Sequence, residues 1–274
     1  MTTLKNSGSA CGKIILTGEY AVVFGYPGIA IPSPLQMTVE FADHDDAIVW
    51  DVPRGWKDYA LDILHRTGAA GTLTMTSDIP LGKGMGASTA LVIAICRAVL
   101  GPDCYEQALA IENIVNPGNS GIDFAVIWNE RPLLFRKGQE PREITLHQSL
   151  RSLGFSLVDT GAPDQQTPEL VAWVTERKDD LQSALEDIGN CTERLLAGED
   201  VLTVIRDHNQ AQQKLGVVTD KAKKLITKIE QQGGAAKVIG AGGRTGGSGI
   251  VMAMCNRKRV ETILHDERMQ LIGW

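Results

Sequence analysis

The stretch Ile79–Ala90, IPLGKGMGASTA, constrains this chain more than any other. Gly82, Gly84 and Gly86 alternate with other residues and lead into Ser88, Thr89 and an apolar run of helical length. Glycine lacks a Cβ and reaches conformations closed to other residues, so such a segment can fold closely around a ligand. The first N–H groups of a helix have no intrahelical acceptor and carry partial positive charge. A Gly-rich turn feeding a helix is therefore a cradle for phosphate, and a hydroxyl at the helix start could reach a metal bound to that phosphate. The same residues would also serve a tight strand-to-helix turn. No Gly-Lys-Ser/Thr triplet follows a Gly-x-x-x-x spacer, so this is not a Walker A loop. With 29 glycines in the chain, the loop alone does not decide.

The bulk properties exclude some classes. A chain of 274 residues buries a large core in one or two domains. A net charge of −6 argues against nonspecific binding to nucleic acid or to an anionic membrane, and it requires that an anionic substrate be held by local donors. The longest apolar run, from residue 90 to Leu100 with Arg97 inside it, is too short to span a bilayer. The opening MTTLKNSGSACGK lacks the layout of a signal peptide. Cys11, Cys96, Cys104, Cys191 and Cys255 form no Cys-x-x-Cys pair, which suits reduced thiols in a cytoplasmic protein.

Periodicity outlines the elements. Residues 13–16, 37–41, 47–52 and 71–77 read as strands, residues 57–66 as a helix, and 29–35, broken by Pro32 and Pro34, as an edge or loop. Residues 88–100 form a helix that is apolar nearly all round and therefore central. A helix over 103–115 takes Asp103 as its N-cap, and 125–127 with 131–135 resembles a hairpin. Beyond a boundary near residue 150 come a strand at 155–159 and helices at 168–177, 180–196, 200–214 and 220–232, the first opened by Thr167-Pro168. Strands at 236–239 and 250–255 then flank a second Gly-rich loop, and a last helix begins near Arg257.

Three further segments carry chemistry. Ser9–Ile31 places Lys13 and Glu19 in an apolar, Gly-containing stretch; such charges are rarely buried unless paired, and a solvent-facing Lys–Glu pair is the alternative. Ile111–Trp128 holds Glu112 on a helix and Asp123 between Ile122 and Phe124 after a Pro/Gly/Asn/Ser turn. A carboxylate there needs a cationic partner, for which Lys13 is the candidate, or it caps the turn. Lys237–Val251, KVIGAGGRTGGSGIV, sets Arg244 within glycines, where it either meets phosphate as a fork donor or is solvated. Together these residues suit phosphoryl transfer, which needs positioning and charge neutralisation above all. Ser88 and Glu112 offer hard oxygen ligands to Mg²⁺, Asp123 can accept a hydroxyl proton, and Lys13 offsets charge beside it.

The chain resembles the GHMP small-molecule kinase superfamily. GKIILTGEYAVVFGYPGIA, PLGKGMGASTA and KVIGAGGRTGGSG are similar to that family's three signature segments and stand in its order. SGIDFAV with Glu112 upstream, and VDTGAPDQQTPELVAWV followed by HNQAQQKLGVVT, are most similar to the mevalonate kinase branch. The resemblance implies an α+β fold of two domains: an N-terminal α/β domain over 1–150 that binds ATP and Mg²⁺ and carries catalysis, and a ferredoxin-like domain over 151–274, with the site in the cleft between them. It implies Asp123 as the base with Lys13 as partner, and Ser88 and Glu112 as Mg²⁺ ligands. Pro80, Gly82, Lys83, Gly84, Met85, Gly86, Ala87, Ser88 and Thr89 would bind the nucleotide. Lys13, Glu19, Tyr20, Ser120, Asp123, Gly240 and Ala241 would line the acceptor pocket.

The implied reaction is ATP-dependent phosphorylation of the primary hydroxyl of mevalonate to 5-phosphomevalonate in isoprenoid precursor synthesis. The alternatives are a phosphomevalonate kinase or another small-alcohol kinase, and then a non-catalytic nucleotide-binding homologue. A homodimer is compatible with the resemblance. Four departures stand out: Tyr20 where the branch has histidine, Asn116-Pro117-Gly118-Asn119 before SGID, Ala87 for a common serine, and the extra residues around Arg244 in the third segment.

Overall fold

The computed structural model describes residues 6–43, 45–146, 154–267 and 269–273. The boundary expected near residue 150 lies outside the described residues. Contacts divide the chain into two compact units, neither of them continuous in sequence. The first comprises the chain through Lys13, Pro32–Leu81 and Gly86–Arg131; the second comprises Ile14–Ile31, Gly82–Met85 and the chain from Pro132 onward.

Two long strands, β1 (Asn6–Thr17) and β2 (Gly28–Ala42), contribute residues to both units and pair with each other. In the first unit β2 pairs antiparallel with β4 (Thr72–Ser77), Met37 opposite Ser77, and β4 pairs parallel with β3 (Ala47–Val49). Helices α1 (Arg54–Arg66), α2 (Ala87–Leu100), α3 (Tyr105–Val115) and α4 (Ile122–Asn129) pack in the same unit. Helix α2 is buried almost all round, as its unbroken apolar sequence requires: Leu91–Cys96 are all inaccessible to solvent.

Three local expectations are corrected here. Pro32 and Pro34 lie inside continuous β2, not in a loop. They fall between the stretch at Gly28–Ala30 that pairs with β5 (Leu133–Phe135) and the stretch from Met37 that pairs with β4, where one edge of β2 changes neighbours and a missing N–H costs least. Residues 125–127 are helical, in α4. Between Asp123 and Asn129 its sequence FAVIW is wholly apolar, so neither period shows, and the left-handed Gly121 (φ 91°) starts the helix. Helix α3 begins at Tyr105 with Cys104 at the N-cap position, so Asp103 is not the cap.

In the second unit β5 also pairs with β6 (Arg142–Glu143). A separate antiparallel sheet has the order β10 (Gln270–Ile272), β7 (Ser156–Asp159), β9 (Ile250–Met254), β8 (Ala235–Val238). Helices α5 (Thr167–Glu176), α6 (Gln182–Leu196), α7 (Val201–Lys214) and α8 (Asp220–Gln231) connect β7 to β8, and α9 (Arg257–Glu267) connects β9 to β10. That is the βαββαβ plan of a ferredoxin-like domain, enlarged by extra helices in its first crossover. Gln166, not Thr167, precedes α5, and its backbone N–H donates to Glu169 Oε2 at 2.9 Å. Asp200 caps α7 by accepting from the Thr203 N–H at 2.9 Å.

Candidate active site

Within the first unit, Lys13 on β1 and Asp123 in the first turn of α4 form an ion pair, Nζ to Oδ1 3.2 Å. The lysine is 3% exposed and the carboxylate 33%, so the cation is sunk in protein while the acid opens to solvent. Gly86 stands against this pair in the left-handed conformation, φ 77°. A Cβ on it would lie 2.9 Å from Ile127 Cδ1 and 3.0 Å from Lys13 Cγ, so glycine is required on both steric and conformational grounds. The turn thus brings the end of the Gly-rich loop onto the buried lysine. Helix α2 starts at the next residue, its first ladder bond running from Ala90 N–H to Gly86 carbonyl at 2.8 Å. The N–H groups of Ala87, Ser88 and Thr89 precede that bond and suit an anion.

Glu112 on α3 is 1% exposed. It accepts one hydrogen bond from Thr89 Oγ1 at 2.8 Å and another from Asn116 Nδ2 at 2.9 Å. Burial pushes its pKa up to about 7; the two hydrogen bonds pull the other way, and the negative charge of Asp123 adds a smaller upward push. Ser88 next to Thr89 is half-buried, as is Ser120 at the turn before α4. The donor chemistry of the Ser88 hydroxyl and the Glu112 carboxylate fits Mg²⁺, a hard ion that prefers oxygen. Among the described residues no three His, Cys, Asp or Glu side chains gather to hold a metal by themselves.

Within the second unit, Gly84 (φ 86°) and Gly240 (φ 77°) meet backbone to backbone: a Cβ on Gly84 would lie 2.6 Å from the Ile239 carbonyl. Lys83 Nζ pairs with Asp159 at the end of β7, and the Lys83 carbonyl accepts from Ile250 N–H at 3.3 Å. The Gly82–Met85 segment is thereby moored to the third Gly-rich segment and to β7.

Glu19 is also paired, but not to Lys13. Its partner is Lys237 on β8, 218 residues away, and both are buried. Lys237 Nζ also donates to the Ile15 carbonyl at 3.1 Å. Burial, the largest single effect, would raise the Glu19 pKa; Lys237 and His208, with the hydrogen bonds they make to it, together outweigh burial and hold the carboxylate low. His208 on α7 lies 3.1 Å from Glu19 Oε2 and is fully buried. Burial, reinforced by Lys237, lowers its pKa and keeps the ring neutral. The Gly18 N–H also points to His208 Nε2, at 3.1 Å, so the ring sits between the strand-end backbone and the Glu19 carboxylate. The sequence signal for this cluster was one lysine inside the apolar strand AAKVIG, and local reasoning did not use it.

These contacts lock the turn that carries Tyr20, whose backbone sits at φ 63°, ψ −47°, a costly conformation for an aromatic residue. The Tyr20 hydroxyl donates to the Ala241 carbonyl at 2.5 Å. Burial, with a smaller effect from Glu19, raises the phenol pKa, so the group stays a donor. Of the residues singled out from sequence, Lys13, Asp123, Ser88, Thr89, Glu112 and Ser120 thus belong to the first unit. Glu19, Tyr20, Lys83, Gly240 and Ala241 belong to the second.

Comparison with known proteins follows the same lines. Residues 56–129 match the GHMP kinases N terminal domain, a span that contains the Gly-rich loop, Glu112 and Asp123. The mevalonate kinase of Methanocaldococcus jannaschii is 23% identical, with 93% of each chain aligned. That of Pyrococcus abyssi is 27% identical, covering 93% of this chain and 91% of its own. The crystal structure of the Methanococcus jannaschii mevalonate kinase superposes with a TM-score of 0.77 at 21% identity, over 97% of this chain and 96% of that one. Motif order, the domain matched over residues 56–129 and the fold shared with the mevalonate kinase structure all make this chain similar to the GHMP kinases, the mevalonate kinases among them.

Proposed function

We propose that this protein transfers the γ-phosphoryl group of ATP to the primary hydroxyl of mevalonate, giving 5-phosphomevalonate and ADP. The observation that carries the reading is the Lys13–Asp123 pair, a half-open carboxylate held 3.2 Å from a buried ammonium beside Gly86. Asp123 accepts the hydroxyl proton as the oxygen bonds to phosphorus, and the bond from phosphorus to the leaving ADP oxygen breaks. Lys13 balances charge on the carboxylate and on the transferring group. The backbone of Gly82, Gly84 and Gly86, with the N–H groups that open α2, holds the nucleotide phosphates. Pro80, Lys83, Met85 and Ala87 complete that segment. Ser88 and Glu112 would hold Mg²⁺, which neutralises phosphate charge when bound. Glu19, Tyr20, Ser120, Gly240 and Ala241 serve the acceptor. Residues 1–150 then form the nucleotide-binding, catalytic domain and 151–274 the second domain. Curated mevalonate kinases aligned over nearly their full length support the reading. Among the described residues no helix is long and apolar enough to cross a membrane, and we place the enzyme in the cytoplasm.

The test offers purified protein and Mg-ATP mevalonate, 5-phosphomevalonate, homoserine and galactose in parallel while ADP release is followed. Phosphorus NMR then locates the new ester. Turnover of mevalonate well above the other three, with the ester on the primary oxygen, is expected. Preference for 5-phosphomevalonate, or ADP release with none of them, would overturn the assignment.

A further inference from the structure

Arg244 stands in the Gly-rich segment between β8 and β9, three residues beyond Ala241. Its guanidinium carbon lies 3.4 Å from the centroid of the Trp173 ring, and that of Arg177 lies 3.3 Å from the same centroid. These distances put each group directly over the ring, so the two must occupy opposite faces. The two cations differ in what else they touch. Arg177 donates to the Trp173 carbonyl at 3.2 Å and to Glu176 Oε2 at 3.3 Å. Arg244 is exposed, and among the described residues no carboxylate lies within ion-pair distance of it. Its backbone is nonetheless fixed. The N–H groups of Arg244 and Thr245 both donate to Gln165 Oε1, at 2.9 and 3.2 Å, and Gln165 Nε2 donates to Thr245 Oγ1 at 2.7 Å. An exposed cation is here held at both ends, by a side-chain amide behind it and an indole beneath it.

A guanidinium stacked on an aromatic face keeps its in-plane N–H donors free, and their fork matches a carboxylate. Trp173 and Ala241 pack against one buried cluster that includes Tyr20, Leu170 and Val174. Tyr20 is hydrogen-bonded to Ala241 in turn. Arg244, through Trp173, is therefore seated on the same buried cluster as the residues assigned to the acceptor. In a chain of net charge −6, an acidic acceptor needs such a local donor. We propose that Arg244 is a specificity-determining residue, its forked guanidinium binding the carboxylate of the acceptor. Trp173 and Gln165 act as positioning residues. This rests on the proposed kinase reading, which sets Tyr20 and Ala241 at the acceptor.

The test compares mevalonate with its neutral primary amide, in wild type, Arg244→Met, Arg244→Lys and Gln165→Ala. It measures KM and kcat for each acceptor and the calorimetric Kd for mevalonate alone. Arg244→Met should raise KM for the acid by on the order of 10- to 100-fold, the scale of a charged hydrogen-bonded pair. It should leave kcat, and the KM for the amide, within about twofold. Arg244→Lys should fall between, because an ammonium cannot grip both oxygens. Gln165→Ala should raise the acid KM a few-fold, with no further effect in the Arg244→Met background. An unchanged acid KM in Arg244→Met, or an equal rise for acid and amide, would overturn the proposal while leaving the kinase reading intact. If wild type turns over neither compound, the kinase reading fails. Calorimetry then decides for Arg244: loss of mevalonate binding in Arg244→Met supports its role, and unchanged or undetectable wild-type binding contradicts it.

Discussion

Two buried lysines in this chain do opposite work. Lys13 faces a carboxylate that is one-third exposed and has room for a substrate oxygen. Lys237 faces Glu19 with both charges sealed in protein, His208 beside them and the Gly18 N–H tied to the histidine. Desolvating a charge is expensive, so a chain buries one only where the partner is fixed. The closed cluster satisfies that condition and fixes the strained turn at Tyr20. The open pair leaves half of its chemistry available. The difference teaches that exposure of the acid, more than presence of the pair, separates the site proposed to react from the structural one.

The largest effect is expected from breaking the closed cluster. Lys237→Met strands Glu19 without its counter-ion and should destabilise the protein by about 3–5 kcal/mol in chemical denaturation. Adding Glu19→Gln should recover part of that loss by removing the buried charge. A Lys237→Met protein as stable as wild type would erase the distinction between the two lysines.

A somewhat smaller effect attaches to Glu112, whose pKa is raised by burial to about 7 from an ordinary carboxylate value. The sign follows from linkage. A raised folded-state pKa means that the protonated form is favoured in the native protein. Its stabilisation is therefore complete below the unfolded pKa and is lost as pH rises through about 7. Between about pH 4.5 and 7 the wild type should lose on the order of 3 kcal/mol from this group, at 1.36 kcal/mol per pKa unit. Glu112→Gln should show a flatter stability profile over that range. Parallel profiles in the two proteins would remove the raised pKa from the account.

The smallest effect is kinetic. Ser88→Ala should leave the melting temperature within about 1 °C, because a half-buried hydroxyl contributes little to the fold. It should raise the Mg²⁺ concentration needed for half-maximal rate several-fold. An unchanged metal requirement would reduce Ser88 to part of a helix terminus.

What the sequence disclosed, and what it concealed, follows the same division. The Gly-rich loop, the apolar helix behind it and a largely helical second half with a small sheet were legible, because glycine spacing and hydrophobic period are local signals; the ferredoxin-like plan came only with the family resemblance. Asp123 could be matched with Lys13 because each is a charge set among apolar neighbours, although Glu19 in the same stretch was an alternative partner for the lysine. The partner of Glu19 could not be found locally: Lys237 lies on a strand 218 residues away, and only the tertiary fold joins them. Helix α4 was hidden because its run from Phe124 to Trp128 is apolar without a break, so neither period shows. The prolines of β2 misled because their tolerance depends on which neighbour the strand has at that point, a property of the sheet and not of the segment. Thr89 and Asn116 as the hydrogen-bond donors to Glu112 likewise depend on how α2 and α3 face each other.

The central claim is that Asp123 takes the proton of the accepting hydroxyl. Asp123→Asn preserves size and a hydrogen-bonding oxygen for Lys13 while removing the base, so one variant isolates that role. Steady-state turnover of mevalonate and the equilibrium Kd for Mg-ATP should be measured side by side. We expect kcat to fall by at least ~100-fold, the scale of general-base contributions, with the nucleotide Kd changed by less than about threefold. Near-normal turnover by Asp123→Asn would contradict the account.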